Sequence, residues 1–533
     1  MSILGLPIDV PRHPEVPTAS STAAQTLVTL PTDALEPILQ FLYDRWFLDI
    51  HREFQSEPHF DYERCPGQYL LALSCSCRYM RAQTLPWIFR EVYNWDSPRG
   101  RVWPESSWPY FRTVHLRDHT AQKPYRPSRK LELSPETIRS VSVMPSLTRI
   151  SIRLESSIPW DLLYSISLAP SLRRLEIHQA CLDGEFPSSS LPFPALDTLL
   201  ISIAGFRSIA SREGVDDNKE GTNVHSLLRA VNSRLTELSI SGDLLSPPFT
   251  SVEWPQIRRL TITEHPPTPF IPVVNLVANM PKLRDLQVLY TSDMTNGRGP
   301  SSLIRLGDAS LRNLYDRCSV LFTAKLGNVR SDDPIFAQLP ASLCSLYLRA
   351  PVDPYDARWG FPQKAHLPLD KQTFSTALDN LRHLEDLKEL CFDLDSFVTA
   401  PFIEHIASAL PQVEVLEFYL PQYPFMSSPY RFDERGRDPA LLAALNRFPH
   451  LRHLRLTMDL PREWWDPHYS EQVNAQWLLS GVPTLATVSF AWPKEMYLVG
   501  YDMAGWRKWD SGVFNFTFPT PPPSPDPVEN LYY

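Results

Sequence analysis

The chain has 533 residues, which at about 150 residues per domain leaves room for three or four domains or for one long repeat array. Its 43% hydrophobic and 21% charged residues are a globular composition, neither disordered nor fibrous. With 51 basic against 60 acidic residues, a net charge of −9, it lacks the basic excess expected of a protein that lives on nucleic acid or anionic membrane.

Proline is abundant, with 53 residues, and glycine scarce, with 18, which argues against Gly-Ser linkers and glycine-rich phosphate loops. The seven cysteines are an odd, sparse set, unlike a disulfide framework. No apolar run approaches the roughly 18 residues of a membrane span. The stretch from Met1 to Gln25 is broken by four prolines and lacks the layout of a signal peptide. The expectation is a soluble protein, cytoplasmic and/or nuclear, with reduced thiols and with neither nucleic acid nor membrane as partner.

Residues 1–29 read as a disordered leader rich in Pro, Ser, Thr and Ala. Residues 30–95 read as a small helical module. Leu35, Ile38, Leu39, Leu42, Tyr43, Trp46, Phe47 and Ile50 fall on one face of a helix that Thr32 or Asp33 can cap. A second face runs through Leu70, Leu73, Cys77 and Met80, and a third short stretch through Leu85, Trp87, Ile88 and Val92.

From about residue 110 to 490 one phrase recurs: a helical face, often a proline, then L-x-x-L-x-[LIVF]. Its instances begin at Phe111, Leu147, Leu172, Leu196, Leu235, Ile257, Leu283, Leu343, Leu387, Val413, Leu451 and Leu485. The fourth and sixth positions share one face of a strand. Helices are predicted at Trp160 to Leu168, Val224 to Val231, Val273 to Met280, Phe402 to Leu410 and Pro439 to Phe448. A strand plus a helix in about 25 residues cannot hide its apolar side alone, so such units must stack. Pro145, Pro170, Pro281, Pro411, Pro449 and Pro483 each precede a phrase, where they stop a helix and favour extended backbone. The array is assigned to residues 96–490, and a cap with a proline-rich tail to 491–533. The predicted fold class is α/β, a small three-helix module followed by an irregular solenoid of parallel strands and helices.

The module resembles the F-box. Leu30-Pro31 opens the match, Leu35, Ile38, Leu39 and Leu42 supply the first helix, Leu70-Leu71-Ala72-Leu73-Ser74 and Cys77-Arg78 follow, and Leu85-Pro86-Trp87-Ile88-Phe89 with Val92 closes it. An insertion at about Asp44 to Gly67 departs from the family pattern, as does Ile88, where the family often has Arg or Lys. The resemblance implies a Skp-type adaptor as partner and, through it, a cullin scaffold. It places Leu30, Pro31, Leu35, Ile38, Leu39, Leu42, Leu70, Leu73 and Trp87 at or near that interface. The array resembles degenerate leucine-rich repeats. The Asn or Cys that usually bonds the turn is mostly missing: Asp243, His265 and Asp459 take its place in three units, and Cys181 lies one position later in another. F-box followed by leucine-rich repeats is the layout of substrate receptors in SCF-type ubiquitin ligases, and a leucine-rich-repeat scaffold outside any ligase is the alternative.

The chain carries no P-loop, no dinucleotide fingerprint and no G-x-S-x-G elbow. Cys75-x-Cys77 has no second pair at zinc spacing, and His450 with His453, Asp393 with Asp395, and Glu463-Trp464-Trp465 read as ordinary surface or packing groups. Neither catalysis nor a cofactor is implied, although the long gap between 290 and 340 has room for an inserted site. What remains is a binding surface. Third, fifth and seventh positions of the phrase face away from the core and place Arg149, Arg153, Arg174, His178 and Arg259 early, Asp285, Glu389, Asp393 and Glu417 later, then His453 and Arg455. The expectation is a charge-graded groove on the concave face that captures an unknown client protein, weakened without unfolding when Arg174 and Arg259 are reversed to Glu.

Overall fold

The computed structural model describes residues 34–43, 67–93, 105–117, 135–154, 157–178, 180–186, 191–202, 217–264, 266–267, 269–290, 303, 318–327, 329–330, 332–348, 369–394, 398–420, 439–458, 476–491 and 513–517. The chain divides into two compact units, Met1–His115 with Met144–Leu147, and Leu116–Val143 with Thr148–Tyr533.

In the first unit three helices, α1 (34–43), α2 (Gly67–Ser76) and α3 (Arg78–Ile88), close around Leu35, Leu39, Tyr43, Leu70 and Met80. Leu42, Leu73, Trp87 and Ile88 pack against this cluster from its rim. The corner between α2 and α3 is fixed by polar groups. The Met80 amide donates to the Cys77 thiol at 3.4 Å, and Arg81 donates to the Ser74 carbonyl at 3.2 Å. Pro86 sits in the last turn of α3, and the Phe89 amide closes that turn on the Leu85 carbonyl. Arg90 lies 5.4 Å from the Tyr43 ring centre and 5.3 Å from that of Trp87, so a cation faces both aromatic rings. Strands β1 (Glu91–Tyr93) and β2 (Thr113–Arg117), the latter grown from the phrase at Phe111, pair in parallel from Glu91↔Thr113 to Tyr93↔His115.

In the second unit, α4 (Pro135–Val143) is followed by the repeats. These run β3 (Arg149–Arg153), α5 (Trp160–Ser167), β4 (Arg174–His178), β5 (Thr198–Ser202), α6 (Asp217–Val231), β6 (Glu237–Ser241), β7 (Arg259–Glu264), α7 (Val273–Leu276), β8 (Asp285–Tyr290) and β9 (Thr323–Gly327). Then come β10 (Ser345–Leu348), α8 (Lys371–Asn380), β11 (Glu389–Phe392), α9 (Ala400–Ala409), β12 (Val415–Leu420), α10 (Pro439–Leu445), β13 (His453–Met458), α11 (476–481) and β14 (Thr487–Ala491). Strands β3 to β14 pair successively and in parallel, each third position beside the next, from Arg149↔Arg174 to His453↔Thr487. Strand β15 (Val513–Thr517) closes the row antiparallel to β14. This is an α/β repeat solenoid of the leucine-rich-repeat type.

One backbone motif links successive repeats. The Thr148 carbonyl accepts from the amides of both Arg173 and Arg174, at 2.9 and 3.0 Å. Asp197 and Thr198 repeat this on Arg173, and the same double bond recurs through every strand to Arg452, whose carbonyl accepts from Ala486 and Thr487. The first, fourth and sixth positions of each phrase from Leu172 to Leu456 are buried, and each such side chain stabilises by about 1.5–3 kcal/mol relative to exposure.

The predicted helices differ from the observed ones in physically clear ways. Helix α6 begins at Asp217, before the predicted Val224, because Glu220 accepts from the Leu182 amide at 3.0 Å and Asn223 donates to the Leu182 carbonyl at 2.6 Å. Its polar first turns are held by hydrogen bonds rather than by an apolar face. Helix α7 stops at Leu276, short of the predicted Met280; its two adjacent valines are stiff and poor at sustaining a helix. Strand β9 has no predicted counterpart, because Ala324 occupies the leucine place of its phrase.

Side chains at the ends of helices replace the missing turn asparagines. Asn232 donates to the Glu253 carbonyl (3.1 Å), Asn279 to that of Thr250 (2.7 Å), Gln412 to that of Leu384 (2.6 Å) and Asn446 to that of Gly481 (2.8 Å). Each satisfies a backbone carbonyl of another unit, as the usual asparagine would. His265 and Asp459, two of the residues in the usual place, lie outside the described residues.

A cluster of phenylalanines fills the core between β10 and β12. Phe392 lies 5.7 Å from Phe374, 6.0 Å from Phe402 and 5.9 Å from Phe418, ring centre to ring centre. Truncating it leaves a cavity that four strands and helices cannot jointly close. Phe392→Ala is expected to cost about 3–5 kcal/mol, read as a lower midpoint in urea unfolding; an unchanged midpoint would contradict the packing.

Candidate functional site

Two surfaces are built by these elements. The first lies on the helical module. Leu30 and Pro31 fall outside the described residues. Leu35, Leu39 and Leu70 are buried in the module's own core, and Leu42, Leu73 and Trp87 are half-buried at its rim. Of the seven nominated residues that are described, Ile38 is the large apolar side chain left on the surface, 40% exposed. Two others accompany it that periodicity did not select: Phe41 at 63% and Leu71 at 52%. Ile38 and Phe41 are three apart on α1, so they neighbour one another on one helix face.

The second surface is the row of third, fifth and seventh positions along the strands. Its charges are organised as local ion-paired networks, not as a gradient. In the first network Glu176, only 3% exposed, is approached by Arg174 at 2.6 Å, Arg149 at 2.9 Å and His178 at 3.6 Å. In the second, Arg259 bridges Asp285 at 2.9 Å and Glu237 at 3.5 Å. In the third, Arg455 lies 3.0 Å from Glu389 and 3.7 Å from Glu417, Ser345 donates to Glu389 at 3.2 Å, and His453 and Thr487 are 2.7 Å apart. Arg153, at the end of β3, is half-buried.

Two expectations are corrected here. Asp393 follows β11 but is buried, its carbonyl accepting from Leu369 at 2.9 Å beside the bridge between Leu369 and Leu394, so it does not belong to the open face. Reversing Arg174 and Arg259 is no clean surface test either, because it would set new carboxylates against Glu176 and Asp285.

Burial would raise the Glu176 carboxyl, but the neighbouring His178 and hydrogen bonds from Arg149 and Arg174 outweigh it and hold the group well below its ordinary value of 4.5. Burial, with the negative Glu389 carboxylate nearby, pushes the Tyr347 phenol above its usual range. Both effects lock the face into a fixed pattern of donors and acceptors. Among the described residues no three His, Cys, Asp or Glu side chains gather into a metal-binding group, and no helix is long and apolar enough to cross a membrane. Cys75 is exposed and Cys77 caps α3, while Asp395 and Glu463-Trp464-Trp465 lie outside the described residues.

Glu176 and Glu237 were missed as partners, although they occupy fifth and third positions of phrases already recognised. The signal was present in the alternation, but pairing depends on the register between strands.

No protein-family model and no curated protein matches the chain. Solved structures with some likeness include an internalin from Listeria monocytogenes, with 10% identity over 76% of this chain and 88% of that one and a TM-score of 0.34. The leucine-rich repeat-containing protein LegL7 from Legionella pneumophila has 12% identity over 77% and 97%, with a TM-score of 0.28. A chain of the yeast Rad7 and Elc1 complex has 13% identity over 78% and 97%, with a TM-score of 0.30. At these scores the class is defined by the strand register itself: a leucine-rich-repeat-type solenoid with an ion-paired ladder face.

Removing both cations from the first network strands a buried carboxylate. Arg149→Ala/Arg174→Ala is expected to cost about 3 kcal/mol, the lower end for a broken buried pair because both guanidiniums are partly in water. The pH sign follows from the depressed carboxyl. Its contribution is complete above about pH 4.5 and is lost as pH falls towards the folded-state value. Thermal scans should show a steeper acid loss in the wild type than in Glu176→Gln; identical acid profiles would contradict the assignment.

Proposed function

We propose that the chain is a substrate receptor of an SCF-type ubiquitin ligase, in which the helical module docks a Skp-type adaptor and the repeat array binds a client protein. The observation that carries the reading is a module with a closed private core that still keeps Ile38, Phe41 and Leu71 on its surface. Exposed large apolar side chains on so small a module are more readily explained by a partner than by folding. The F-box-like order of motifs supports the same reading, with Leu70-Leu71-Ala72-Leu73-Ser74 on α2 and Cys77-Arg78 at the α2–α3 corner.

In this role the chain performs no bond chemistry. The adaptor and cullin scaffold bring a ubiquitin-loaded enzyme near, and the array holds the client so that its lysines are present at high effective concentration. A rigid array suits that task because binding orders little of it.

A scaffold outside any ligase is the second reading. It is favoured by the burial of Leu35, Leu39 and Leu70, which removes three of the nominated residues from any interface. Co-purification with a purified Skp-type adaptor separates the two. The wild-type chain should retain the adaptor, and Ile38→Glu/Phe41→Glu should weaken retention at least about tenfold, since charges at the apolar centre of an interface are strongly unfavourable. Circular dichroism should be unchanged, because both side chains already face water. Failure of the wild type to retain the adaptor would leave the scaffold reading.

A further inference from the structure

The second position of each phrase, just before the strand, forms its own row, stitched by the double backbone bonds. In chain order it reads Thr148, Arg173, Asp197, Thr236, Arg258, Arg284, Phe322, Cys344, Lys388, Glu414, Arg452 and Ala486. Towards its two ends this row neutralises itself. Arg173 lies 3.9 Å from Asp197, and Lys388 lies 3.1 Å from Glu414.

The centre does not. Arg258 and Arg284 are exposed and stand just before adjacent strands, with the Arg284 amide bonded to the Arg258 carbonyl at 2.8 Å. Phe322 is next, its amide on the Arg284 carbonyl at 2.8 Å and its side chain 54% exposed. Two residues before each of Thr236, Arg284 and Phe322 come Arg234, Lys282 and Val320, all exposed, with Val320 at 45%. Lys282 donates to Gln256 at 2.8 Å. Among the described residues none of Arg234, Arg258, Lys282 and Arg284 has a carboxylate partner. Four uncompensated cations therefore flank two exposed apolar side chains on a chain whose net charge is −9.

We propose that this patch, from β6 to β9, is a docking site for an acidic protein segment that carries an apolar side chain among its carboxylates. The patch supplies both complements, cations for the carboxylates and the Phe322–Val320 pair for the anchor. Three strand spacings make it roughly 14 Å across, which an extended segment crosses in about five residues. A short peptide fits that span. A nucleic-acid strand continuing along the row finds no further unpaired cation bordering the patch: Asp197, paired with Arg173, follows on one side, and Cys344, then the Lys388–Glu414 pair, on the other. The proposal deepens the client-binding role of the array and rests on it, but it does not depend on the helical module. A failed adaptor experiment therefore leaves it standing, and its own failure leaves adaptor docking untouched.

The test is fluorescence anisotropy on the full chain with a labelled peptide of roughly ten residues, all aspartate and glutamate except for a central leucine. The wild type should bind it and bind less as salt rises. Arg258→Glu/Arg284→Glu should weaken binding at least about tenfold, the neutral Arg258→Gln/Arg284→Gln less, and Phe322→Ser about threefold with all charges intact. Arg173→Glu, at the same position before β4, should leave it within about twofold. Absence of binding, equal binding of a peptide with glutamine and asparagine in place of its acids, or a single-stranded oligonucleotide that binds more tightly through the same arginines would overturn the proposal.

Discussion

The array depends on one constraint: every strand must present its backbone in register with the next, because neither its amides nor its leucines can be satisfied alone. The carbonyl before each strand accepts two amides from the following unit, and this recurs from Thr148 to Thr487. Once that register is set, the fourth and sixth positions of all units align on one side and close a continuous apolar core. The same register places third and fifth positions in rows on the opposite side, with neighbours about 4.8 Å apart. Salt bridges such as Arg259 to Glu237 and Asp285 are consequences of that spacing.

This ordering explains why the open face is organised as networks. A row of charges one strand apart in a partly dry environment is unfavourable unless signs alternate or a carboxylate is shared. Glu176 between two arginines and Arg455 between two glutamates are two solutions of that problem. Charges consumed in this way contribute rigidity and pattern rather than net attraction. In the row just before the strands, Arg258 and Arg284 have no carboxylate partner among the described residues.

Much of the fold was legible in the sequence. The recurring phrase located the strands because a leucine at the fourth position and a β-type residue at the sixth are what a buried parallel strand requires. It failed at β9, where Ala324 fills the leucine place and the smaller side chain hides the phrase, although Leu321 and Leu326 keep their positions. It failed differently at α6, whose first turns are held by Glu220 and Asn223 to a loop about forty residues earlier in the chain, a tertiary hydrogen bond that no local period records.

The site was less legible than the fold. Alternation identified which side chains leave the core, including Arg149, Arg174, Arg259 and Arg455, but not what each meets, because Arg455 finds Glu389 across 66 residues of chain. On the helical module, helical spacing put Leu35, Ile38 and Leu39 on one stripe, yet that stripe is wider than the contact it makes. Leu35 and Leu39 are buried while Ile38 is open. Amide hydrogen exchange across β8, β9 and β10 tests the central claim most directly. If the ladder is continuous, the amides of Thr323 to Gly327 should be protected to the same degree as those of Asp285 to Tyr290 and Ser345 to Leu348. Fast exchange confined to the β9 peptide, with both neighbours protected, would contradict it.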